Sequence, residues 1–211
     1  MNTHALLAGG GLYAITGGPH AALLDAVAQV LAGGARMLQY LDEGADQARR
    51  YTEATAILRL CRSHKVPLII HEDLALAQAI GADGVHLAHS VERILAARAC
   101  LGVAAIVGVA CRDSLENAGS AARAGANYVS FGAMYPSPTR PLAAIAPVDL
   151  LRQSAAFGVA RVAIGGITPD NAPLLIEAGA DYVASISSLF GAPDVRHAAQ
   201  RFAQLFVQSS H

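Results

Sequence analysis

Short apolar runs alternate along the chain with longer stretches whose apolar residues recur at helical spacing. The short runs lie at 11–16, 36–40, 66–70, 84–87, 105–109 and 128–131, and two more begin at Val162 and Asp181. Their length and their Val, Ile, Leu and Tyr content predict strands buried on both faces. The stretches between them predict helices at 19–32, 46–64 and 74–80, one ending at Cys100, and others at 114–124, 148–157 and 194–206. Strands and helices in alternation mean a parallel sheet covered by helices.

A Gly-Ala pair stands just before every even strand, at 34–35, 81–82, 125–126 and 179–180. Each glycine can end the preceding helix in the left-handed conformation and let helix and strand pack closely. Four such returns predict four βαβα units and eight strands, a regularity that an open doubly wound sheet does not need. The expected fold is therefore α/β, a single (β/α)8 TIM barrel over residues 1–211, and 211 residues suit one such domain.

Composition narrows the function classes. A hydrophobic content of 54% with 15% charged residues implies a large core and excludes disorder. The net charge of −1, without a basic run, argues against nucleic acid as a partner. Polar or charged residues interrupt every apolar run before it reaches membrane-spanning length, and the N-terminus lacks the pattern of an export signal. A cytoplasmic location is the expectation. Cys61, Cys100 and Cys111 have no metal-ligand spacing and fit reduced thiols.

In such a barrel the active site forms where the strands end. The ends bring together Thr16, then 39–43 with Gln39, then His71, Glu72 and Asp73, then His89, Cys111 and Arg112, and finally the loop 135–140. The Gly165-Gly166 pair removes two Cβ atoms at the end of strand seven, which would let a ligand approach bare N–H groups. Ile186, Ser187 and Ser188 close strand eight with hydroxyls suited to an anion. These two ends predict a phosphate cup. His71 and Glu72 suit a metal or a general base, whereas acidic residues there also suit a helix N-terminus. His86 reads as a satisfied wall histidine, His89 stays open, and Cys111 reads as a buried thiol. The loop 135–140 couples Ser137 and Thr139 hydroxyls to the Arg140 guanidinium, a combination that favours an anionic group.

On these residues the chain resembles the thiamine-phosphate synthase family, which includes thiazole tautomerase-like paralogues. The likeness runs from Gly11 to the last helix and is most specific at 84–87, 128–140, 163–171 and 184–187. The resemblance implies transfer of a hydroxymethylpyrimidine from its diphosphate to a thiazole phosphate, with pyrophosphate released and Mg²⁺ assisting. The implied partners are small phosphorylated pyrimidine and thiazole compounds, and a homo-oligomer is compatible with them. Gln39 is the implied pyrimidine contact. Ser137, Thr139, Gly165, Gly166, Ile186 and Ser187 match the thiazole-phosphate positions.

The diphosphate half departs from the family pattern. Leu41 and Glu43 replace an Arg and a Lys, lowering the local charge by about three units. His71 and Glu72 replace an Asn-Asp pair, Val91 falls where a carboxylate ligand is expected, Ala110 replaces a serine, and Arg140 replaces a lysine. Mg²⁺ usually relies on one or two carboxylates besides substrate phosphates, so Glu72 is left as its expected ligand. The leading expectation is a transferase with Gln39, His71 and Arg140 in catalytic roles. The alternatives are a thiazole tautomerase that uses His71 or His89, and a non-catalytic paralogue that binds a phosphorylated thiamine precursor.

Overall fold

The computed structural model describes residues 7, 9–18, 22–137 and 143–208. Eight parallel strands close in sequence order: β1 (Gly11–Ile15), β2 (Met37–Tyr40), β3 (Leu68–His71), β4 (Gly84–Ala88), β5 (Ile106–Arg112), β6 (Tyr128–Phe131), β7 (Ala160–Ile164) and β8 (Tyr182–Ser185). The final β1–β8 pairing sets Gly11 beside Tyr182, so the sheet has no edge. The (β/α)8 barrel expected from the alternating pattern is the observed fold. Helices α1 (Leu23–Ala32), α2 (Gln47–His64), α3 (Leu74–Ile80), α4 (Val91–Leu101), α5 (Leu115–Arg123), α6 (Asp149–Gln153), α7 (Ala172–Glu177), α8 (Ser187–Phe190) and α9 (Val195–Gln208) follow the strands. The expected helix 148–157 divides into α6 and a 3₁₀ turn at Ser154–Phe157. No described helix is long and apolar enough to cross a membrane.

Alternate residues of each strand face opposite ways. Leu12, Ala14, Leu38, Ile70, Val85 and Val107 look outward into the layer shared with the helices. Tyr13, Ile15, Met37, Ile69, Ile106, Tyr128, Val162 and Tyr182 fill the lumen. Gly108 sits beside Tyr128 in the β5–β6 register and leaves the space that the tyrosine ring takes.

The four Gly-Ala corners share one hydrogen-bond pattern. The N–H groups of Gly34, Gly81, Gly125 and Gly179 donate three residues back, and those of Ala35, Ala82, Ala126 and Ala180 five residues back, at 2.9–3.3 Å. All four glycines have positive φ, between 68° and 101°, as a helix ending of this kind requires. Three corners continue into Asp83, Asn127 and Asp181, whose side chains accept the N–H groups of Leu68, Val107 and Arg161, in the first two residues of the preceding odd strand, at 2.8 Å. The repeat thus fastens the N-terminal end of the barrel and leaves the other end for the site.

Candidate active site

The floor of the C-terminal mouth is built by inward-facing residues of β1 to β4 and β6. The Tyr13 phenol donates to Gln39 Oε1 at 2.7 Å and lies 2.8 Å from the Tyr128 oxygen. Gln39 Nε2 is 3.0 Å from His71 Nδ1, and the Tyr128 oxygen is 3.0 Å from His86 Nδ1. The His86 ring stacks on Tyr128 with centroids 5.5 Å apart, and His71 stacks on His86 at 6.3 Å. Burial, and then the neighbouring His71, pushes His86 down to about 3, so this ring is neutral. Burial holds both phenols above their ordinary range. His86 is the satisfied wall histidine that its place in an apolar run suggested.

The rim at β2 to β4 carries acids whose partners lie within the chain. Asp42 accepts from Gly44 N–H at 2.7 Å and from the Tyr40 phenol at 3.2 Å, and it pairs with Arg49 at 2.6 Å. Burial favours its neutral form, but the Gly44 N–H and the Arg49 guanidinium outweigh that and hold the carboxyl below its ordinary value. Asp73 caps α3 through Leu76 N–H at 2.9 Å and pairs with Arg50 at 2.8 Å, the helix-terminus role considered for it. Leu41 packs against the lumen cluster, so apolar surface stands where the family pattern has an arginine.

Glu72, the expected Mg²⁺ ligand, is spent elsewhere in this geometry. One of its carboxylate oxygens accepts Ala88 N–H, the other pairs with Arg93 Nη1, and its carbonyl accepts Arg93 Nη2 at 3.2 Å. Its backbone has φ 59°, a conformation that costs a non-glycine residue and persists only when surrounding bonds hold it. Val91 offers no ligating atom at the other expected position, and the neighbouring Glu92 accepts from the Ser90 hydroxyl at 2.7 Å. No group of three His, Cys, Asp or Glu side chains among the described residues could hold a metal ion. These residues do not fit Mg²⁺.

His71 and His89 part company here. His71 Nε2 faces Glu43 Oε1 at 3.7 Å on the mouth side of β3. His89 Nε2 is held by the Ser120 hydroxyl of α5 at 2.6 Å, away from the floor network. Cys111 is the buried thiol expected, and burial pushes it up to about 12.

At β7 the Gly165-Gly166 pair, both with positive φ, also lies against the β6 loop. A Cβ on Gly165 would stand 2.7 Å from Ala133 Cα, and one on Gly166 2.5 Å from the Tyr135 and Pro136 carbonyl oxygens. The β6 loop takes the space those Cβ atoms would need; Met134 N–H and Tyr135 N–H bond Ile164 and Gly165 carbonyls at 3.0 Å. Outside the regular bonding of helices and strands, no backbone carbonyl of a described residue accepts from the N–H of Gly165, Gly166 or Ser187. Ser187 is exposed at the start of α8, Ile186 packs on the lumen cluster, and the Ser188 hydroxyl donates to the Ile167 carbonyl at 2.8 Å. Ser137 is half-buried, whereas Thr139 and Arg140 lie outside the described residues.

Sequence reasoning missed Tyr13, Tyr128 and Arg93. The tyrosines share the strand parity of other lumen residues, a signal that could have marked them; nothing in sequence spacing pairs Arg93 with Glu72.

A closed eight-stranded barrel with a polar floor at its C-terminal mouth has the architecture of a (β/α)8-barrel enzyme. A family model described as thiamine monophosphate synthase matches residues 12–189. The chain is similar to the thiamine-phosphate synthase of Chromobacterium violaceum, 48% identical over 93% of this chain and 96% of that one. It is similar to the same-named protein of Thiobacillus denitrificans, 50% identical over 94% and 95% of the two chains. Among solved structures, thiamine phosphate pyrophosphorylase from Pyrococcus furiosus superposes with a TM-score of 0.85 at 29% identity, over 96% of this chain and 98% of that chain. The chain belongs to the thiamine monophosphate synthase family.

Proposed function

We propose that the chain is a thiamine-phosphate synthase-like transferase acting on a hydroxymethylpyrimidine diphosphate and a thiazole phosphate. The thiazole nitrogen forms a C–N bond to the pyrimidine methylene as the C–O bond to the diphosphate breaks, and that electron pair leaves with pyrophosphate. Gln39 holds the pyrimidine over the floor, with His71 orienting its amide. Gly165, Gly166, Ile186, Ser187 and Ser137 receive the thiazole phosphate, and the Thr139 hydroxyl and Arg140 guanidinium are assigned to the diphosphate. No step is routed through Mg²⁺. The observation that carries this reading is that the N–H groups of Gly165, Gly166 and Ser187, which make no backbone bond to a described residue outside the regular helix and strand bonding, stand on the same barrel mouth as the Gln39 amide. Such N–H groups suit a phosphate dianion.

The test is direct. The protein is mixed with both substrates, with and without Mg²⁺, and thiamine phosphate is followed by chromatography. Product formed with EDTA present is the expected result, and absence of product under both conditions ends the transferase reading. A calorimetric titration with the thiazole phosphate checks the cup separately, since no heat at millimolar ligand removes it.

His71 beside Glu43 favours a second reading, tautomerisation of a thiazole carboxylate phosphate. That reaction needs neither diphosphate nor metal, only a group that holds and moves a proton. Loss of tautomerase activity in His71→Ala but not His89→Ala is its signature.

A further inference from the structure

The floor network can be solved for its hydrogens. Gln39 Oε1 only accepts, so the Tyr13 phenol spends its one hydrogen there, at 2.7 Å. The 2.8 Å contact between the phenols is then donated by Tyr128. With its own hydrogen used, Tyr128 can only accept across the 3.0 Å contact to His86, which therefore carries a hydrogen on Nδ1. At the other end Gln39 Nε2 only donates, so His71 Nδ1 accepts and carries no hydrogen, which leaves the ring hydrogen on Nε2, the atom facing Glu43. Every link has one possible direction once the Gln39 amide is fixed, and turning that amide over would reverse all of them together.

We propose that Tyr13 and Tyr128 are positioning residues that set, in opposite senses, which ring nitrogen carries the hydrogen in His71 and His86. The two phenols transmit the Gln39 amide orientation across the lumen. Residues far apart in sequence, joined on one floor, thereby present a fixed order of donors and acceptors to whatever ring rests there. His86, kept neutral by burial, has a bare Nε2 as a result, and His71 has a bare Nδ1. This goes beyond the transferase reading and does not depend on it.

The experiment is two-bond ¹H–¹⁵N correlation of the histidine rings in the intact ¹⁵N-labelled protein near neutral pH. The 8 histidines are sorted by recording His71→Asn and His86→Asn variants alongside. The wild type is expected to show His86 with its hydrogen on Nδ1 and His71 with its hydrogen on Nε2. In Tyr128→Phe the Nδ1–H signature of His86 is lost while His71 is unchanged. In Tyr13→Phe the Gln39 carbonyl loses its donor and both rings lose their fixed order. A general loosening of the barrel would not separate the rings in this way. A wild-type His86 with its hydrogen on Nε2, or tautomers indifferent to both phenylalanine variants, overturns the proposal. Were Tyr13→Phe not to fold, the wild-type spectrum and Tyr128→Phe decide the matter. The spectra need no substrate, so failure of the transferase assay cannot be confused with failure here.

Discussion

Replacing Gly108 by alanine is the sharpest probe of the lumen. Its Cβ would come closer than 3.0 Å to Cζ, Cε1 and the phenol oxygen of Tyr128, a spacing that real Cβ atoms do not show. The ring cannot step aside into solvent, because Tyr128 is fully buried between the His86 face and the Tyr13 edge. Overpacking a well-filled core costs about 1–3 kcal/mol. Displacing the phenol also breaks two buried hydrogen bonds, at 2.8 and 3.0 Å, each worth about 1 kcal/mol. The sum is about 3–5 kcal/mol, a large share of the roughly 5–15 kcal/mol that holds a domain folded. At about 2–4 °C per kcal/mol for a chain of this size, Tm falls by roughly 6–20 °C. Urea denaturation of Gly108→Ala, Tyr128→Leu and the double variant tests the cause. Shrinking Tyr128 empties the space the new methyl needs, so the double variant should lose at least about 1 kcal/mol less than the sum of the singles. A loss under 1 kcal/mol for Gly108→Ala, or strict additivity, would refute the reasoning.

Three further outcomes follow from the structure. Lys65 ends α2 with φ 57°, and its N–H and that of Val66 make the same bonds as the four Gly-Ala corners, at 3.1 and 3.0 Å; Lys65→Gly should raise stability in urea by about 0.5–1 kcal/mol, as relief of left-handed strain exceeds the added chain entropy. His86 titrates near 6.5 when unfolded and at about 3 when folded, so its contribution is complete above pH 6.5 and is lost as pH falls toward 3. The stability-versus-pH slope between pH 5 and 4 should therefore be shallower in His86→Asn by about 1.4 kcal/mol per pH unit. Burial pushes Cys61 and Cys111 up to about 12 while Cys100 is exposed, so native alkylation read by mass spectrometry should modify Cys100 alone.

The architecture was legible because its signals are local. Strands buried on both faces read as apolar runs, and the corner glycines at 34, 81, 125 and 179 stand where the backbone needs positive φ. β6 and α3 match the predicted ranges at both ends. The floor was less legible because it depends on which strands meet across a closed lumen. Tyr13 and Tyr128 lie 115 residues apart, and no spacing rule pairs them. The Gly165-Gly166 pair shows the limit most clearly: the residue type reads as a place of close approach, and no spacing shows that the backbone of Ala133, Tyr135 and Pro136 also comes close there. Glu72 shows another limit, since its left-handed backbone and Arg93 partner decide where the carboxylate points, and neither is written in the residues beside it.

The rim acids also bear on what the mouth can attract. Asp42, Asp73 and Glu72 are each matched by an arginine of α2 or α4, so these pairs add little net field above the floor. A paired guanidinium must give up its carboxylate before it can serve a phosphate, and breaking a partly buried pair costs more than an exposed one returns. Under the proposed reading, attraction for an anion falls to groups with no internal partner to surrender, and among the described residues the N–H groups of Gly165, Gly166 and Ser187 make no backbone bond outside the regular helix and strand bonding. Fixed dipoles cost no rearrangement when a ligand arrives, and they discriminate by geometry more than by total charge. A mouth of this kind favours a compact phosphate ester, which can be surrounded by a few N–H groups, over a longer and more highly charged diphosphate. The chemistry demanded of residues 138–142 is correspondingly greater, since the diphosphate's charge would have to be met largely by Arg140.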